Sequence, residues 1–191
     1  TQALRAGAPP PRAILTVVLD QVSHDNLARD LDQLPTLSRL AGQGAWFTDC
    51  RVDYLPTITA LFHEVLATGH YPAQNGISSD KLWDAKKQKY RNALDDGDPT
   101  PIQVPTLMEL WHREQGNRPR IIAVSPAARA TVGLVGHRGT ETGDQLKVAM
   151  WWDTDRERWV TNPKFYRLPT SIANLSLPGV LGRVPKSWMG H

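Results

Sequence analysis

Apolar positions along the chain follow two spacings, and the alternation between them predicts the elements. The run AILTVVL at 13–19 is continuous and rich in β-branched residues, the pattern of a strand buried on both faces of a parallel sheet, and Asp20 stands at its carboxyl end. Pro35 suits a first helical turn, Leu37 and Leu40 share one helical face behind it, and Gly42 and Gly44 end that helix. The chain then returns as a strand over 45–52, so that 13–52 reads as a βαβ unit. A short apolar helix is expected over 60–67. Residues 86–103, with Asp95, Asp96, Gly97, Asp98, Pro99 and Pro101, show no periodicity and read as a long surface loop.

Pro105 opens a second helix with Leu107, Leu110 and Trp111 at helical spacing, and Gly116 closes it. Residues 120–124 form another buried-type strand, 127–131 suit a short helix, and 146–152 with 159–161 read as two strands joined by a turn. This alternation predicts an α/β sandwich without internal repeats. Trp151, Trp152 and Trp159 read as packing rather than a ligand cage. The expected organisation is an arm over 1–12, a core segment over 13–84, the loop over 85–103, and a continuation of the core over 104–191 that contains the strand pair and is cut at its C-terminal end.

The 191 residues suffice for one domain with a core, and hydrophobic residues at 40% are ordinary for a globular chain. With 22 Lys+Arg against 19 Asp+Glu the net charge is only +3, and the dense basic cluster Lys86, Lys87 and Lys89 reads as a solvated loop, so nucleic acid is not an expected partner. The single Cys50 rules out an intrachain disulfide and a cysteine-based zinc site, and its run AWFTDCRV suggests a buried, inert thiol. No apolar run approaches the roughly 18 residues of a membrane span, so none is expected. The opening TQALRAGAPPPR lacks the apolar stretch of a signal peptide and suits either a processed N-terminus or a boundary.

The candidate chemistry lies in DYLPTITALFHEVLATGHYPAQNGISSDKLWD at 53–84, where a hydroxyl-bearing loop leads into the short helix. A hydroxyl at the head of a helix faces backbone N–H groups and the positive end of the dipole, which favour a phosphoryl anion. Thr57 and Thr59 both qualify, and the same placement suits an N-cap. His63, one turn beyond Thr59, can reach the same end. Asp20 sits where open α/β sheets place ligands, and with His24 and Asp25 it suggests either a metal-ligand cluster or solvated capping residues. Arg129 follows a strand and suits an anion clamp or an ordinary surface arginine.

Several motifs in series carry a resemblance: VVLDQVSHD at 17–25, PTLSRLAGQGAWFTDC at 35–50, PTITALFHEVLATGHYPAQNGI at 56–77, VPTLMEL at 104–110 and IIAVSPAARATVGLVGH at 121–137. Together with AMWWDTDRERWVTNPKFY at 149–166 they resemble the N-terminal part of the alkaline phosphatase superfamily, nearest its type I phosphodiesterase/nucleotide pyrophosphatase branch and the PafA-like alkaline phosphatases. The resemblance implies a three-layer α/β sandwich with a mostly parallel sheet, incomplete in this chain. It implies a hydrolase of phosphoric (di)esters working through a phospho-threonine, with Thr59 rather than Thr57 as nucleophile and Asp20 as a metal ligand. Two zinc ions are the implied cofactors, Thr59 also contacting metal, and a small phosphoester is the implied substrate. A periplasmic or secreted location follows by the same analogy.

Three departures accompany the resemblance. Asp80 stands where the family has an Asn on the phosphoryl group, and Ala127 with Arg129 stands where the PafA-like group has a Lys and an Arg. Asp80 and Arg129 are therefore the implied substrate-binding residues, with a diester favoured over a monoester. The family's later metal ligands have no counterpart before residue 191, so the chain alone is expected to be inactive and to need a missing C-terminal half or a second chain. The alternative is a non-catalytic binding module of the same fold. A phosphonate hydrolase or sulfatase-like enzyme shares the metal logic, and the absence of Cys or Ser at the nucleophile position counts against the latter.

Overall fold

The computed structural model describes residues 11–137 and 147–175, and the chain divides into two compact units, Thr1–Val52 and Asp53–His191. In the first unit, helix α1 (His24–Asp30) starts at Ser23, whose hydroxyl accepts the Asn26 N–H at 3.2 Å, and it carries Asp25 in its first turn and Arg29 in its last. A 3-10 turn (Leu31–Gln33) leads into α2 (Pro35–Gln43), which Pro35 opens and Gly44 closes as predicted, while Gly42 lies inside the helix. The two strands expected on either side of these helices do not form: among the described residues of this unit there is no strand. A strand is defined by its neighbours, and Ile14, Leu15, Val17 and Leu19 are exposed without one. Cys50 is likewise exposed rather than buried.

The second unit holds the core. Helix α3 (Thr59–Thr68) ends at Gly69, in the left-handed conformation, and a short helix α4 (Pro72–Asn75) follows. Strands β1 (Lys81–Asp84) and β2 (Lys89–Asn92) form an antiparallel hairpin, with the Asp84 carboxylate accepting the N–H groups of Lys86 and Lys87 in its turn. The hairpin corrects the expectation of a surface loop. Beyond it Ala93 and Leu94 are fully buried, and Gly97 lies against the Trp151 ring so closely that a Cβ would collide with it. Asp, Gly and Pro here serve a tightly turned segment that supplies core residues.

Helix α5 (Leu107–Glu114) has a reciprocal cap: the Thr106 hydroxyl accepts the Glu109 N–H, and the Glu109 carboxylate accepts the Thr106 N–H. Strand β3 (Ile121–Ser125), helix α6 (Ala128–Val135) and strand β4 (Lys147–Asp153) form a βαβ unit, β3 and β4 pairing in parallel from Ile121↔Lys147 to Ser125↔Trp151. The strand, short helix and strand expected over 120–124, 127–131 and 146–152 thus form, whereas the βαβ unit expected over 13–52 does not. Strand β5 (Arg158–Val160) pairs antiparallel with β4, giving the order β3-β4-β5, and α7 (Thr170–Ala173) follows. Trp152 and Trp159 face across this pair, ring centroids 5.3 Å apart, in the packing role expected of them. Helices α3 and α6 pack together beside the sheet, and Ala60, Ile77, Leu94, Ile121, Val132, Val135, Ala149 and Tyr166 fill the core.

Candidate active site

Thr59 is the first residue of α3. The N-cap position belongs to Ile58, in extended conformation (φ −95°, ψ 163°), whose side chain bonds nothing. The reading of Thr59 as a cap therefore fails, and the first-turn N–H groups of α3 lack the partner a polar cap would give. Asp80 supplies one from outside: its Oδ1 accepts the Ala60 N–H at 2.8 Å. Its Oδ2 lies 3.2 Å from Nε of Arg129, the second residue of α6, with both side chains about one-third exposed. That Nε is enclosed yet makes no properly angled hydrogen bond, so the contact is Coulombic and leaves a donor unsatisfied.

Three residues singled out from the sequence, Thr59, Asp80 and Arg129, thus meet at the heads of two adjacent helices. Asp80 is held by its own backbone as well, its carbonyl accepting the N–H of buried Ala93 at 2.7 Å. Ala127, the N-cap residue of α6, brings no charge, and the Ser125 hydroxyl receives its N–H at 3.1 Å. His63 is buried, and its Nδ1 lies 2.8 Å from the Thr59 carbonyl rather than reaching the hydroxyl. Thr57 is exposed outside the helix.

Asp20 lies in the first unit, in an exposed turn where its Oδ1 accepts the N–H of Gln21 at 3.1 Å. His24 is engaged with Asp25 at 3.2 Å, so these two form a surface pair. Among the described residues no three His, Cys, Asp or Glu side chains gather as a metal site would require. Thr59 and Asp20 alone do not fit a pair of zinc ions.

Below the helix heads lies a buried ionisable layer that the sequence did not reveal. Glu64 is fully buried on α3, neither carboxyl oxygen has a hydrogen-bond partner, and burial, helped by the nearby Glu109 charge, pushes its pKa up to about 9. Burial also acts to raise Glu109, but hydrogen bonds from His137 and the Thr106 N–H prevail and hold it below the usual carboxylate range. The Thr-x-x-Glu spacing at 106–109 was the available signal for Glu109. A carboxylic acid inside an apolar helix, as Glu64 is, has no such signature.

The α/β fold of the chain is that of the alkaline phosphatases. It resembles two crystal structures of alkaline phosphatase PafA: a multiply substituted variant (TM-score 0.70, 21% identity, 81% of this chain and 32% of that one) and the wild type (TM-score 0.68, 21% identity, 80% and 32%). Residues 14–173 match the type I phosphodiesterase / nucleotide pyrophosphatase family, and the chain belongs to it. Similar curated proteins are one named a calcium-transporting ATPase from Myroides odoratus (24% identical, 82% of this chain) and alkaline phosphatase PafA from Elizabethkingia meningoseptica (23%, 81%). Alkaline phosphatase PhoV from Synechococcus elongatus is 24% identical over 85% of this chain. The chain spans about 30% of the length of these relatives.

Proposed function

We propose that the protein carrying this chain hydrolyses phosphoric esters, with Thr59 as nucleophile and Arg129 as the cation beside the phosphoryl group. The observation that carries this reading is the meeting of Thr59 and Arg129 at the heads of α3 and α6 around Asp80. Family membership supports the reaction class. In the first step Thr59 Oγ attacks phosphorus and gives up its proton to solvent, while the bond to the leaving oxygen breaks and that oxygen takes a proton from solvent. In the second, water attacks the phospho-threonine, the Oγ–P bond breaks, Oγ regains a proton, and a phosphate or phosphomonoester leaves. The N–H groups of the first turn of α3 and the Arg129 guanidinium stabilise the charge that develops.

Thr59→Ala in the product of the native gene is expected to lower phosphodiester hydrolysis on the order of 10³-fold or more. An undiminished rate would sink the reading. Zinc dependence, with Asp20 among the ligands, and a periplasmic or secreted location belong to the same proposal. Zinc bound by the native-gene product and lost in Asp20→Ala would support the former.

One observation favours a second reading. The Asp80 carboxylate already uses donors that a phosphoryl group would need, as in a binding module of this fold that has lost catalysis. Absence of saturable zinc binding, together with no effect of Thr59→Ala, would favour that module.

A further inference from the structure

We infer that the β1–β2 hairpin docks the protein on an anionic lipid surface, its lysines facing the headgroups and the Trp83–Tyr90 pair entering the interfacial layer. This role is independent of the reaction at Thr59. In the sequence Lys86, Lys87 and Lys89 read as a solvated loop, but the structure builds them into a paired ribbon with a defined outer face. Trp83 stands directly opposite Tyr90, and alternation along the strands puts Lys81 and Asn92 on the same face. Leu82, on the other face, packs against the core, so the aromatic pair points away from it.

Trp83 is 52% exposed and Tyr90 68%, and the two rings meet edge to face with centroids 5.2 Å apart. They form one apolar knob edged by an indole N–H and a phenol O–H, the mixed character that places Trp and Tyr at membrane–water interfaces. The charge lies on the same element. Residues 81–92 hold five cations, Lys81, Lys86, Lys87, Lys89 and Arg91, against one carboxylate, Asp84, so the hairpin carries +4 where the whole chain carries +3. Everything outside it is one unit negative. The Asp84 carboxylate accepts the N–H groups of Lys86 and Lys87, which fixes the turn and holds both lysines at its tip. Among the described residues, no carboxylate is within ion-pair distance of any of the four lysines.

The layout of this charge favours a bilayer over a nucleic acid. A single strand is held by a groove of cations with ring faces open for stacking. Here the excess charge is confined to one hairpin, and the two rings pack against one another. Base edges are read by arginine forks, and Arg91 lies on the core-side face with Leu82. Lysine, a compact hydrated charge on a flexible stem, suits a fluid anionic surface that presents no fixed acceptor geometry.

The test uses the product of the native gene, mixed with vesicles of phosphatidylcholine alone or of phosphatidylcholine and phosphatidylglycerol at about 2:1, bound protein being read by co-sedimentation. Wild type is expected to partition about 10-fold or more better onto the anionic vesicles, and to leave them as salt rises toward about 1 M, where charges are screened. Lys86→Gln, Lys87→Gln and Lys89→Gln together should lower that partition on the order of 100-fold, about fivefold for each lysine near the surface. Trp83→Ala with Tyr90→Ala should lower it about 10-fold and keep the salt dependence. Removing three charges elsewhere, by Arg113→Gln, Arg118→Gln and Arg120→Gln, should change it less than about 3-fold. The lysine set decides alone should the aromatic variant fail to fold. Equal binding to both vesicles or to neither, partition unchanged in the lysine set, or an equal loss in the arginine set overturns the inference, as does a folded aromatic variant that binds like wild type. Lysine-dependent binding of a single-stranded oligonucleotide without vesicle binding also overturns it and assigns the face to nucleic acid.

Discussion

Glu109 and His137 hold each other through backbone and ring at once: Glu109 Oε1 accepts the His137 N–H at 2.9 Å and lies 3.5 Å from the ring Nδ1. The other ring nitrogen meets the Ile102 carbonyl, so both ring nitrogens face acceptors. The imidazolium, which donates from both, is the form that fits.

The pair predicts a stability window. The hydrogen bond to Glu109 raises the pKa of His137 above its ordinary 6.5, so its contribution is fully present below that value and is lost as pH rises through the folded-state pKa. Glu109 is held below its ordinary 4.5, so its contribution is present above that value and is lost as pH falls. Both act together between pH 4.5 and 6.5. Urea midpoints across the pH range should show His137→Gln destabilised most in that window and approaching wild type in alkali; a constant difference would contradict the pairing.

Glu64 acts in the same direction as His137 on the alkaline side. Its folded-state pKa of about 9 against an ordinary 4.5 means that the folded protein holds a proton which the unfolded chain has released, so stability falls as pH rises across that interval. Glu64→Gln, which cannot ionise, should flatten that decline and melt higher than wild type near the upper end. A Tm profile parallel to wild type would show that Glu64 ionises as an ordinary carboxylate.

Gly136 has φ +80°, and an added Cβ would collide with the Glu109 carboxylate and stand 3.0 Å from the Thr106 methyl. Gly136→Ala should cost about 2 kcal/mol or more, through backbone strain and displacement of Glu109. Chemical denaturation would measure it, and a cost under about 0.5 kcal/mol, the range of ordinary surface substitutions, would show that the loop relaxes.

Tyr166 is buried, and its hydroxyl donates to the Gly136 carbonyl at 2.6 Å. Tyr166→Phe strands that carbonyl and should destabilise by about 1–2 kcal/mol. Thermal melting of the two proteins side by side tests this, with no change in Tm counting against an isolated acceptor.

The helices were legible because their ends carry local signals: Pro35, Gly44, Pro105 and Gly116 act within a turn of where they stand. Strands were legible only where a partner exists. The apolar run over 13–19 looked more strand-like than LysTyrArgAsn at 89–92, yet only the latter is paired, with a hairpin neighbour that local composition does not disclose. Of the candidate site, Thr59 and Arg129 could be named in advance from the chemistry of a hydroxyl and a guanidinium at those places in the pattern, and Asp80 only through the family resemblance. Their meeting could not, since it depends on the packing of α3 beside α6. Asp20 belongs to the other unit, and the buried acid Glu64 follows a run indistinguishable from any apolar helix.

Gly133 lies four residues beyond Arg129, as His63 lies four beyond Thr59. An added Cβ at Gly133 would meet His63 Cβ at 3.3 Å and a Glu64 carboxyl oxygen at 3.5 Å. One helical turn beneath Thr59, a missing side chain thus acts as the gauge that sets how far apart hydroxyl and guanidinium stand. A methyl group introduced there would touch no ligand, yet it would lever the helix heads apart, and evolution could retune reach at this site by editing a residue that solvent never meets.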